Sequence, residues 1–340
     1  MPGKPELKDE QIINCLRDEY GLDAETISFL PLGADVDSSV YRVVIKDGTN
    51  YFLKLRKGDL FREASVVIPN FLGTLGIRQV IPPLATQTGQ LWANLNPFKV
   101  VLYPFVEGQP GLDIKMSHQQ WVEFGSALKS FHTADIPATI TLDIQRDDFS
   151  PRWRDTAKLY LEHVEKETFS EQIKIEAANF LKIKKAETLD VVKRAGQLAP
   201  MLQESLPEFI LCHSDIHGYN LLIDHNGALY IVDWDGLMFA PKERDLMFIG
   251  GGHGDSSYTP REEEAMFYQG YGQTNINQIA IAYYRYERII MDIVDDYHII
   301  FLSAEREENR TAAFEDLRNK FLPNSYIEIA RQSDKILKAN

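Results

Sequence analysis

The residues best suited to chemistry lie in one segment, LCHSDIHGYNLLIDHNGALYIVDWD, at positions 211–235. Asp215 is followed five residues later by Asn220 and thirteen residues after that by Asp233. Phosphoryl transfer needs these types in this order. One carboxylate orients the attacking hydroxyl and accepts its proton, while a carboxamide and a second carboxylate hold Mg²⁺ ions that neutralise the phosphate oxygens. We therefore predict Asp215 as the catalytic base, with Asn220 and Asp233 as metal ligands at the same edge.

Two other interpretations of this segment stay open at the level of sequence. His213, Asp215 and His217 alternate as ligands on one face of a strand would, which is typical of a metal site such as zinc. The run then enters the loop sequence Gly-Tyr-Asn at 218–220, and no further His or Cys cluster is nearby to complete a tetrahedral set. The segment could also be a polar turn that caps a strand.

The elements that must position these residues begin with a helix and a sheet. Apolar residues recur at helical spacing through residues 8–20, and Gly21 ends the helix. The period then changes to two in the runs ISFLPL, SVYRVVIK and YFLKLR, the last two joined across Asp47-Gly48, a strong hairpin signal. A helix is predicted over 62–75, and QLWANL and PFKVVLYPF follow as two more strands across a turn at Thr88-Gly89. The first hundred residues thus predict a five-stranded antiparallel sheet with one helix inserted after the third strand.

The pattern becomes mostly helical after Tyr103-Pro104-Phe105. Ser117 is a good N-cap for a helix with one apolar face, and further amphipathic helices are predicted near 151–166, 170–205 and 277–303. Two short apolar strands, FILCHSD and LYIVDWD, lie between them. The predicted fold class is α+β, with a small sheet lobe at 1–103, a hinge at about 102–107 and a larger helical lobe at 104–340.

Composition limits the partners. The formal net charge is −14, and an acidic surface repels phosphate backbones, so we expect no nucleic-acid partner and a cationic small-molecule substrate, although acidity for solubility alone is also common. The two cysteines form no disulfide framework, which fits a reducing compartment. No apolar run approaches the length of a membrane span and no signal peptide is evident, so we expect a soluble, cytoplasmic protein with no membrane partner, compatible with a monomer.

The string from His213 through Asp215 and Asn220, followed by Asp233-Trp234-Asp235, resembles the catalytic and metal-binding motifs of the aminoglycoside phosphotransferase and choline kinase superfamily. Protein kinases share the outline but have a DFG motif where this sequence has Asp-Trp-Asp. The element order supports the resemblance over nearly the whole chain. It implies a kinase-like two-lobed fold that uses ATP and Mg²⁺ to phosphorylate a small-molecule hydroxyl.

The resemblance extends to the nucleotide side of the site. Lys54, on the third predicted strand, resembles the lysine that holds the α- and β-phosphates, and Glu63 in the following helix is its expected acidic partner. The loop at 32–39 lacks a G-x-G-x-x-G run, but its backbone N–H groups and the Ser38 hydroxyl could still cover phosphates. Taken alone, Lys54 and Glu63 would be surface residues and the loop a plain hairpin.

The linker at 102–107 looks like an adenine-binding hinge. Adenine needs one hydrogen-bond acceptor for its amino group and one donor to its ring nitrogen. The Pro104 carbonyl could be the acceptor and the Val106 N–H the donor. The alternative is that this segment is a simple strand end. Asp245 resembles a family aspartate that binds the backbone of the catalytic loop, so its expected role is structural.

The acceptor is inferred mostly from resemblance. The segments 240–252 and 284–288 look most like the spectinomycin 9-phosphotransferase branch, in which an aminocyclitol hydroxyl is the acceptor. A dibasic acceptor would favour carboxylates near Asp215; the candidates are Asp235, Glu287 and Asp292, with Tyr284 stacking on a ring. Equally, Glu287 could be a surface residue and Tyr284 a core residue. The alternatives for the whole chain are a kinase for a choline-, homoserine- or sugar-type metabolite, or a non-catalytic nucleotide-binding protein.

Overall fold

The chain begins with an amphipathic helix. The computed structural model describes residues 4–32, 37–141, 143–205, 207–250, 258–323 and 325–339. Helix α1 spans Asp9–Tyr20 and buries Ile12 and Leu16 completely. Gly21 ends it at φ 68°, a left-handed conformation in which its N–H donates to the Arg17 carbonyl. The predicted first helix and its glycine stop are confirmed.

A five-stranded sheet follows α1. Its strands are β1 (Ala24–Leu30), β2 (Ser38–Ile45), β3 (Asn50–Lys57), β4 (Ala93–Leu95) and β5 (Phe98–Pro104). Each pairs antiparallel with its neighbours in the order β1-β2-β3-β5-β4. The β2–β3 hairpin turns at Asp47-Gly48, where Gly48 has φ 86°, a conformation that glycine adopts at no steric cost. The predicted sheet and this hairpin are confirmed.

One predicted turn is misplaced. The turn at Thr88-Gly89 closes with the Gly89 N–H on the Thr86 carbonyl, 2.9 Å away, and it precedes both β4 and β5. The two strands are joined instead at residues 96–97. Residues 90–92 lie outside β4, so the run QLWANL contributes only its last three residues to the sheet. Both sites have turn chemistry, and only the pairing of the strands decides which one makes the hairpin.

Helix α2, Ala64–Thr74, lies between β3 and β4 in the chain, as predicted. Its buried residues Ile68 and Leu72 belong to the large hydrophobic cluster of the second half of the chain. Just beyond the helix, the Gln79 carbonyl accepts a hydrogen bond of 2.6 Å from the N–H of Ile231. This contact fixes the N-terminal half of the chain to the strand that leads to Asp233.

The second half is mainly helical. Its helices are α3 (His118–His132), α4 (Arg152–Lys166), α5 (Gln172–Ser205), α6 (Glu243–Leu246), α7 (Pro260–Tyr271), α8 (Gln278–Tyr297), α9 (Glu307–Asn319) and α10 (Tyr326–Ala339). Ser117 caps α3 by accepting a hydrogen bond from the Gln120 N–H, as its position predicted. The helices predicted near 151–166, 170–205 and 277–303 are also present.

Five short strands cross this helical half. They are β6 (Gly108–Pro110), β7 (Ile210–Cys212), β8 (Leu221–Asp224), β9 (Leu229–Ile231) and β10 (Met238–Ala240). They form a three-stranded sheet, β6-β8-β9, and a two-stranded sheet, β10-β7. The predicted strands at 209–215 and 229–235 are confirmed as β7 and β9. The candidate catalytic residues follow the ends of these two strands.

The apolar side chains gather in two clusters. The smaller one joins α1 to the five-stranded sheet, with Tyr41 and Leu53 fully buried in it. The larger one fills the helical half and includes the inward residues of α2. Among the helices described, none is both long and apolar enough to cross a lipid bilayer.

Candidate active site

A buried carboxylate on α6 binds the backbone of the loop after β7. Asp245 is fully buried, and its two oxygens accept hydrogen bonds from the backbone N–H of His213 (2.9 Å) and of Ser214 (2.6 Å). It also bonds His132 Nε2 at 2.9 Å. Burial opposes ionisation, but the His132 hydrogen bond and the Ser214 N–H outweigh it and lower the pKa of Asp245. The expected structural role of Asp245, binding the backbone of this loop, is confirmed.

The same loop contains a backbone strain that the Asp245 bonds stabilise. Ser214 has φ 71°, a left-handed conformation that costs a residue with a Cβ about 1–2 kcal/mol. Its N–H donates the shorter of the two backbone hydrogen bonds to Asp245. This bend at Ser214 turns the chain between β7 and Asp215, so Asp215 does not continue the line of the strand.

Asp215, Asn220 and Asp233 lie together as predicted. Asn220 Nδ2 donates to the backbone oxygen of Asp215 at 2.7 Å, and the Val232 N–H donates to the Asn220 carbonyl at 3.0 Å. Asp233 is the next residue, at φ 61°, also left-handed. These two bonds link the loop after β7 to the segment after β9, so the three polar side chains share one edge.

The alternation of His213, Asp215 and His217 does not build a metal site. His213 is fully buried and its Nε2 bonds the Val232 carbonyl at 3.0 Å, whereas His217 Nε2 lies 3.4 Å from an Asp215 oxygen. In the part of the chain that the structure describes, the group close enough to share an ion is His132, Cys212 and Asp245, all buried. Because none of the three alternating residues belongs to that group, the zinc interpretation of His213, Asp215 and His217 is not supported.

Lys54 joins the five-stranded sheet to this edge. Its Nζ lies 2.9 Å from Asp233 Oδ1 and 2.7 Å from Asp235 Oδ2, and Arg56 on the same strand also bonds Asp235. Burial alone would lower the pKa of Lys54, but the two carboxylates raise it well above its usual range. The predicted pairing with Glu63 is wrong for this structure. Glu63 is exposed at the N-cap of α2, and Asp233 and Asp235 take its place.

Asp215 has cationic and polar partners on both oxygens. Arg288 Nη1 bonds its Oδ1, while Asn220 Nδ2 and His217 Nε2 each lie 3.4 Å from Oδ2. Burial would raise the pKa of Asp215, but the His217 hydrogen bond and the Arg288 charge lower it far below its usual range. The side chain is still 39% exposed. An ionised, accessible carboxylate can accept a hydrogen bond from a substrate hydroxyl.

The donor set near this edge suits Mg²⁺. Asn220 uses its amide nitrogen on Asp215, which leaves its side-chain oxygen for a cation. The Asp233 side chain is 49% exposed, and one of its oxygens contacts Lys54. Hard carboxylate and amide oxygens are the ligands that Mg²⁺ prefers. Asn220 and Asp233 therefore fit the predicted metal roles by type and placement.

The Pro104 carbonyl at the end of β5 points away from β3. The Phe105 N–H donates to the Asn50 carbonyl on β3, while the Leu102 carbonyl accepts from the Leu84 N–H on the other side. Successive peptide groups of a strand point in alternate directions, so the Pro104 carbonyl shares the direction of Leu102, away from β3. Its oxygen is thus placed to accept a hydrogen bond from a ligand on that side.

The other residues predicted to contact the nucleotide lie at the ends of β5 and β2 and in the segment before β2. Val106 is half-buried just beyond β5. Ser38 begins β2 and is buried, and within the described residues its hydroxyl has no hydrogen-bond partner, so it could bond a ligand. The glycine-containing part of the predicted phosphate loop, residues 33–36, lies outside the described residues.

Two of the predicted acceptor ligands lie in the core instead. Tyr284 is 1% exposed and its hydroxyl donates to Asp147, 2.9 Å away. Glu287 is 5% exposed and pairs with Arg154 at 2.7 Å. Both expectations are wrong, because this face of α8 is covered by α4 and the loop before it. The alternative of Tyr284 as a core residue is confirmed, whereas the alternative of Glu287 as a surface residue is wrong as well, since Glu287 is buried against Arg154.

Two functional candidates were missed from the sequence. Arg288 contacts Asp215 and, through Nε at 2.8 Å, Asp292 one helical turn further along α8. Arg56 shares Asp235 with Lys54. The i, i+4 spacing of Arg288 and Asp292 was the only local signal, and it is common on exposed helices. Asp292 itself is partly exposed beside Arg288, while the charge of Asp235 is balanced by two cations.

The sheet with its inserted helix, the helical second half and the Asp–Asn loop facing Lys54 together define a kinase-like fold and an enzyme class, the ATP-dependent phosphotransferases. The chain belongs to the phosphotransferase enzyme family, whose model matches residues 28–287. It is therefore an ATP-dependent kinase of small-molecule hydroxyl groups.

Solved structures agree with this assignment. Spectinomycin phosphotransferase APH(9)-Ia, in complex with ADP and spectinomycin, is 32% identical, with a TM-score of 0.88 over 97% of this chain and 99% of that one. Its AMP-bound complex gives 30% identity and a TM-score of 0.82 over 95% and 98% of the two chains. Choline kinase LicA from Streptococcus pneumoniae shares the fold at 15% identity, with a TM-score of 0.56 over 98% of this chain and 99% of that one.

Proposed function

We propose that this kinase phosphorylates a hydroxyl of a cationic aminocyclitol, with spectinomycin as the leading candidate, and that it thereby inactivates an antibiotic. The acceptor proposal rests on the 32% identity, over 97% of the chain, to a protein solved with ADP and spectinomycin. The observation that carries the catalytic roles is the pair of bonds from Lys54 Nζ to Asp233 and Asp235, beside the Asp215–Asn220 loop.

In this proposal Asp215 orients the acceptor hydroxyl and accepts its proton. The acceptor oxygen forms a bond to the γ-phosphorus as the bond from that phosphorus to the ADP oxygen breaks. The carboxylate is ionised and 39% exposed, so it can accept a hydrogen bond from the acceptor hydroxyl, and the hydroxyl proton becomes acidic enough to transfer as its oxygen bonds to phosphorus. The proton moves from the acceptor to the carboxylate, and ADP leaves with the electron pair of the broken bond.

The nucleotide would lie between the lobe at 1–103 and the lobe at 104–340. The Lys54 ammonium holds the α- and β-phosphates, since its raised pKa keeps it charged at any physiological pH. The Pro104 carbonyl and the Val106 N–H bind adenine, and Ser38 bonds a phosphate. Asn220 and Asp233 hold Mg²⁺, which when bound neutralises charge on the phosphate oxygens.

The acceptor would approach Asp215 from the side of α8. Asp292 is the remaining carboxylate among the predicted acceptor ligands, because Asp235 is neutralised by Lys54 and Arg56. The net charge of −14 supports a cationic small molecule as partner and opposes a nucleic acid.

A panel of acceptors tests the proposal. Release of ADP from ATP and Mg²⁺ is measured with spectinomycin, other aminoglycosides, choline, homoserine, methylthioribose and a fructosamine. We expect the highest kcat/KM with spectinomycin. Preference for one of the metabolites would make the protein a metabolic kinase of the same family, and nucleotide binding without turnover on any acceptor would overturn catalysis itself.

The role of Asp215 is tested on the best acceptor. Asp215→Ala should lower kcat by about 10²–10⁴-fold, the usual contribution of a general base, while the variant stays folded. Asp135→Ala serves as the matched control, since Asp135 is an exposed carboxylate on the loop after α3. Full activity of Asp215→Ala would contradict the proposed role.

A further inference from the structure

The guanidinium of Arg288 lies between two carboxylates at the acceptor side of the site. Its Nη1 bonds Asp215 Oδ1, its Nε lies 2.8 Å from Asp292 Oδ1, and its Cζ lies 5.4 Å from the centroid of the Phe248 ring. Its side chain is 25% exposed. A planar cation held at two nitrogens and over a ring has little rotational freedom. Arg288 is therefore a fixed contact for the proposed base rather than a mobile surface charge.

The contacts of the two Asp215 oxygens are unequal. Oδ1 has the direct bond from Arg288, whereas the partners of Oδ2, His217 and Asn220, are each 3.4 Å away, at the limit of a hydrogen bond. Asn220 makes its short bond, 2.7 Å, to the backbone oxygen of Asp215. Oδ2 thus retains a lone pair for a further hydrogen bond, while Oδ1 is anchored.

The distribution of charge along this edge also indicates a role for Arg288. Four carboxylates meet along this edge: Asp215, Asp233, Asp235 and Asp292. Lys54 and Arg56 neutralise the two that follow β9, and Arg288 bonds the other two. Without Arg288, Asp215 and Asp292 would repel each other, and a negatively charged nucleotide would add to the repulsion.

We propose that Arg288 is a positioning residue for the phosphoryl-transfer reaction: it anchors Asp215 Oδ1 so that Oδ2 receives the acceptor hydroxyl. This inference rests on the proposed role of Asp215 as base. It assigns a function to a residue of α8 that lies 73 positions from its partner in the chain. Asp292 supports it by fixing the second edge of the guanidinium.

The variants Arg288→Gln and Arg288→Lys test this on the best acceptor. Arg288→Gln should lower kcat by about 10²-fold, the effect of a small misplacement of a reacting group, with KM for ATP changed less than about 2-fold. Arg288→Lys restores a charge without the planar fork and should recover part of the rate. Arg261→Gln, an exposed arginine on α7, is the matched control and should leave both parameters unchanged.

The comparison of kcat with KM separates positioning from a merely structural role. The groups facing the Asp215 carboxylate are Arg288 and His217, with Asn220 as a neutral donor and Asp292 beyond the guanidinium. A residue that places the base should affect kcat much more than KM for ATP, and Arg288→Lys should keep more of the rate than Arg288→Gln. Equal rates in Arg288→Gln and Arg288→Lys, or a wild-type rate in Arg288→Gln, would overturn the proposal.

A second measurement does not depend on turnover. In protein labelled with ¹³C at the aspartate carboxyl carbons, the Asp215 resonance is assigned with Asp215→Asn and compared at neutral pH between wild type, Arg288→Gln and Arg261→Gln. The resonance should shift in Arg288→Gln, because the Arg288 contact to Oδ1 is lost, and should stay in place in Arg261→Gln. An unchanged resonance in Arg288→Gln would show that the contact is absent in solution, even if the kinase activity is confirmed. A shifted resonance in a protein that phosphorylates no acceptor would leave the contact intact and overturn only the proposed function.

Discussion

Replacing Asp245 should disorder the catalytic loop, because Asp245 binds the backbone of that loop and takes no direct part in the reaction. The carboxylate is fully buried and accepts from three donors: the backbone N–H groups of His213 and Ser214 and the Nε2 of His132. In Asp245→Ala all three are left without this acceptor, away from water. Each buried polar group without a partner costs about 1–3 kcal/mol, so the free energy of unfolding should fall by about 3–9 kcal/mol for the three donors. That is a large part of the 5–15 kcal/mol that is usual for a folded domain.

Asp245→Asn should cost less. Its amide oxygen can still accept from the Ser214 N–H, while its NH₂ group meets the N–H of His213, another donor. About one donor is then unmatched, which predicts a loss of about 1–3 kcal/mol. Because the Ser214 bend precedes Asp215, both variants should also lose catalytic rate in proportion to the disorder of this loop.

Urea unfolding of wild type and of the two variants measures the losses. The matched control is Asp224→Ala: Asp224 also accepts two backbone N–H bonds, from Asn226 and Ala228 at 2.8 Å each, but in a half-buried hairpin turn. Water can replace its oxygens, so the expected loss is about 1 kcal/mol. If Asp245→Ala loses no more stability than Asp224→Ala, the reasoning about buried unmatched donors is refuted.

Two further predictions concern packing and pH. Gly125→Ala on α3 should lower the free energy of unfolding in urea by about 3 kcal/mol. The new Cβ would lie 2.1 Å from the Phe267 carbonyl oxygen on α7, so the two helices would have to separate. A change below about 0.5 kcal/mol would contradict this reasoning. Burial raises the pKa of Asp296 to about 7 despite its 2.6 Å bond to Lys320. The folded state therefore keeps a proton that the unfolded state releases near pH 4, and this group makes the free energy of unfolding fall as the pH rises from about 4 to about 7. Asp296→Asn should show a smaller fall between pH 5 and pH 8 than wild type, and equal falls in both proteins would exclude Asp296 as the source.

Much of the local structure was predictable because its determinants are close in sequence. Gly21 ends α1 and Ser117 caps α3 through bonds to residues three or four positions away. The turn at Asp47-Gly48 and the alternation on either side defined the β2–β3 hairpin. The misplaced turn at Thr88-Gly89 shows the limit: two turn sequences were available, and strand pairing selected the other.

The candidate site divides in the same way. Asp215, Asn220 and Asp233 lie within nineteen residues, so their type, order and spacing alone indicated phosphoryl transfer and the edge at which they meet. Lys54 was found through its place on the third strand, but its partner was assigned wrongly. Glu63 is near in sequence, whereas Asp233 is 179 residues away and reaches Lys54 only through tertiary packing.

The sequence by itself determined the chemistry of this protein: the carboxylates, the carboxamide and the lysine that phosphoryl transfer requires, and the order of elements that presents them. Only the tertiary structure decided which side of α8 faces the site. Periodicity shows that Tyr284, Glu287 and Arg288 lie on a helix, but not which neighbouring elements cover each face. The packing of α4 and the loop before it buries Tyr284 and Glu287 and leaves Arg288 against Asp215, because burial and ion pairing depend on contacts between residues far apart in the chain.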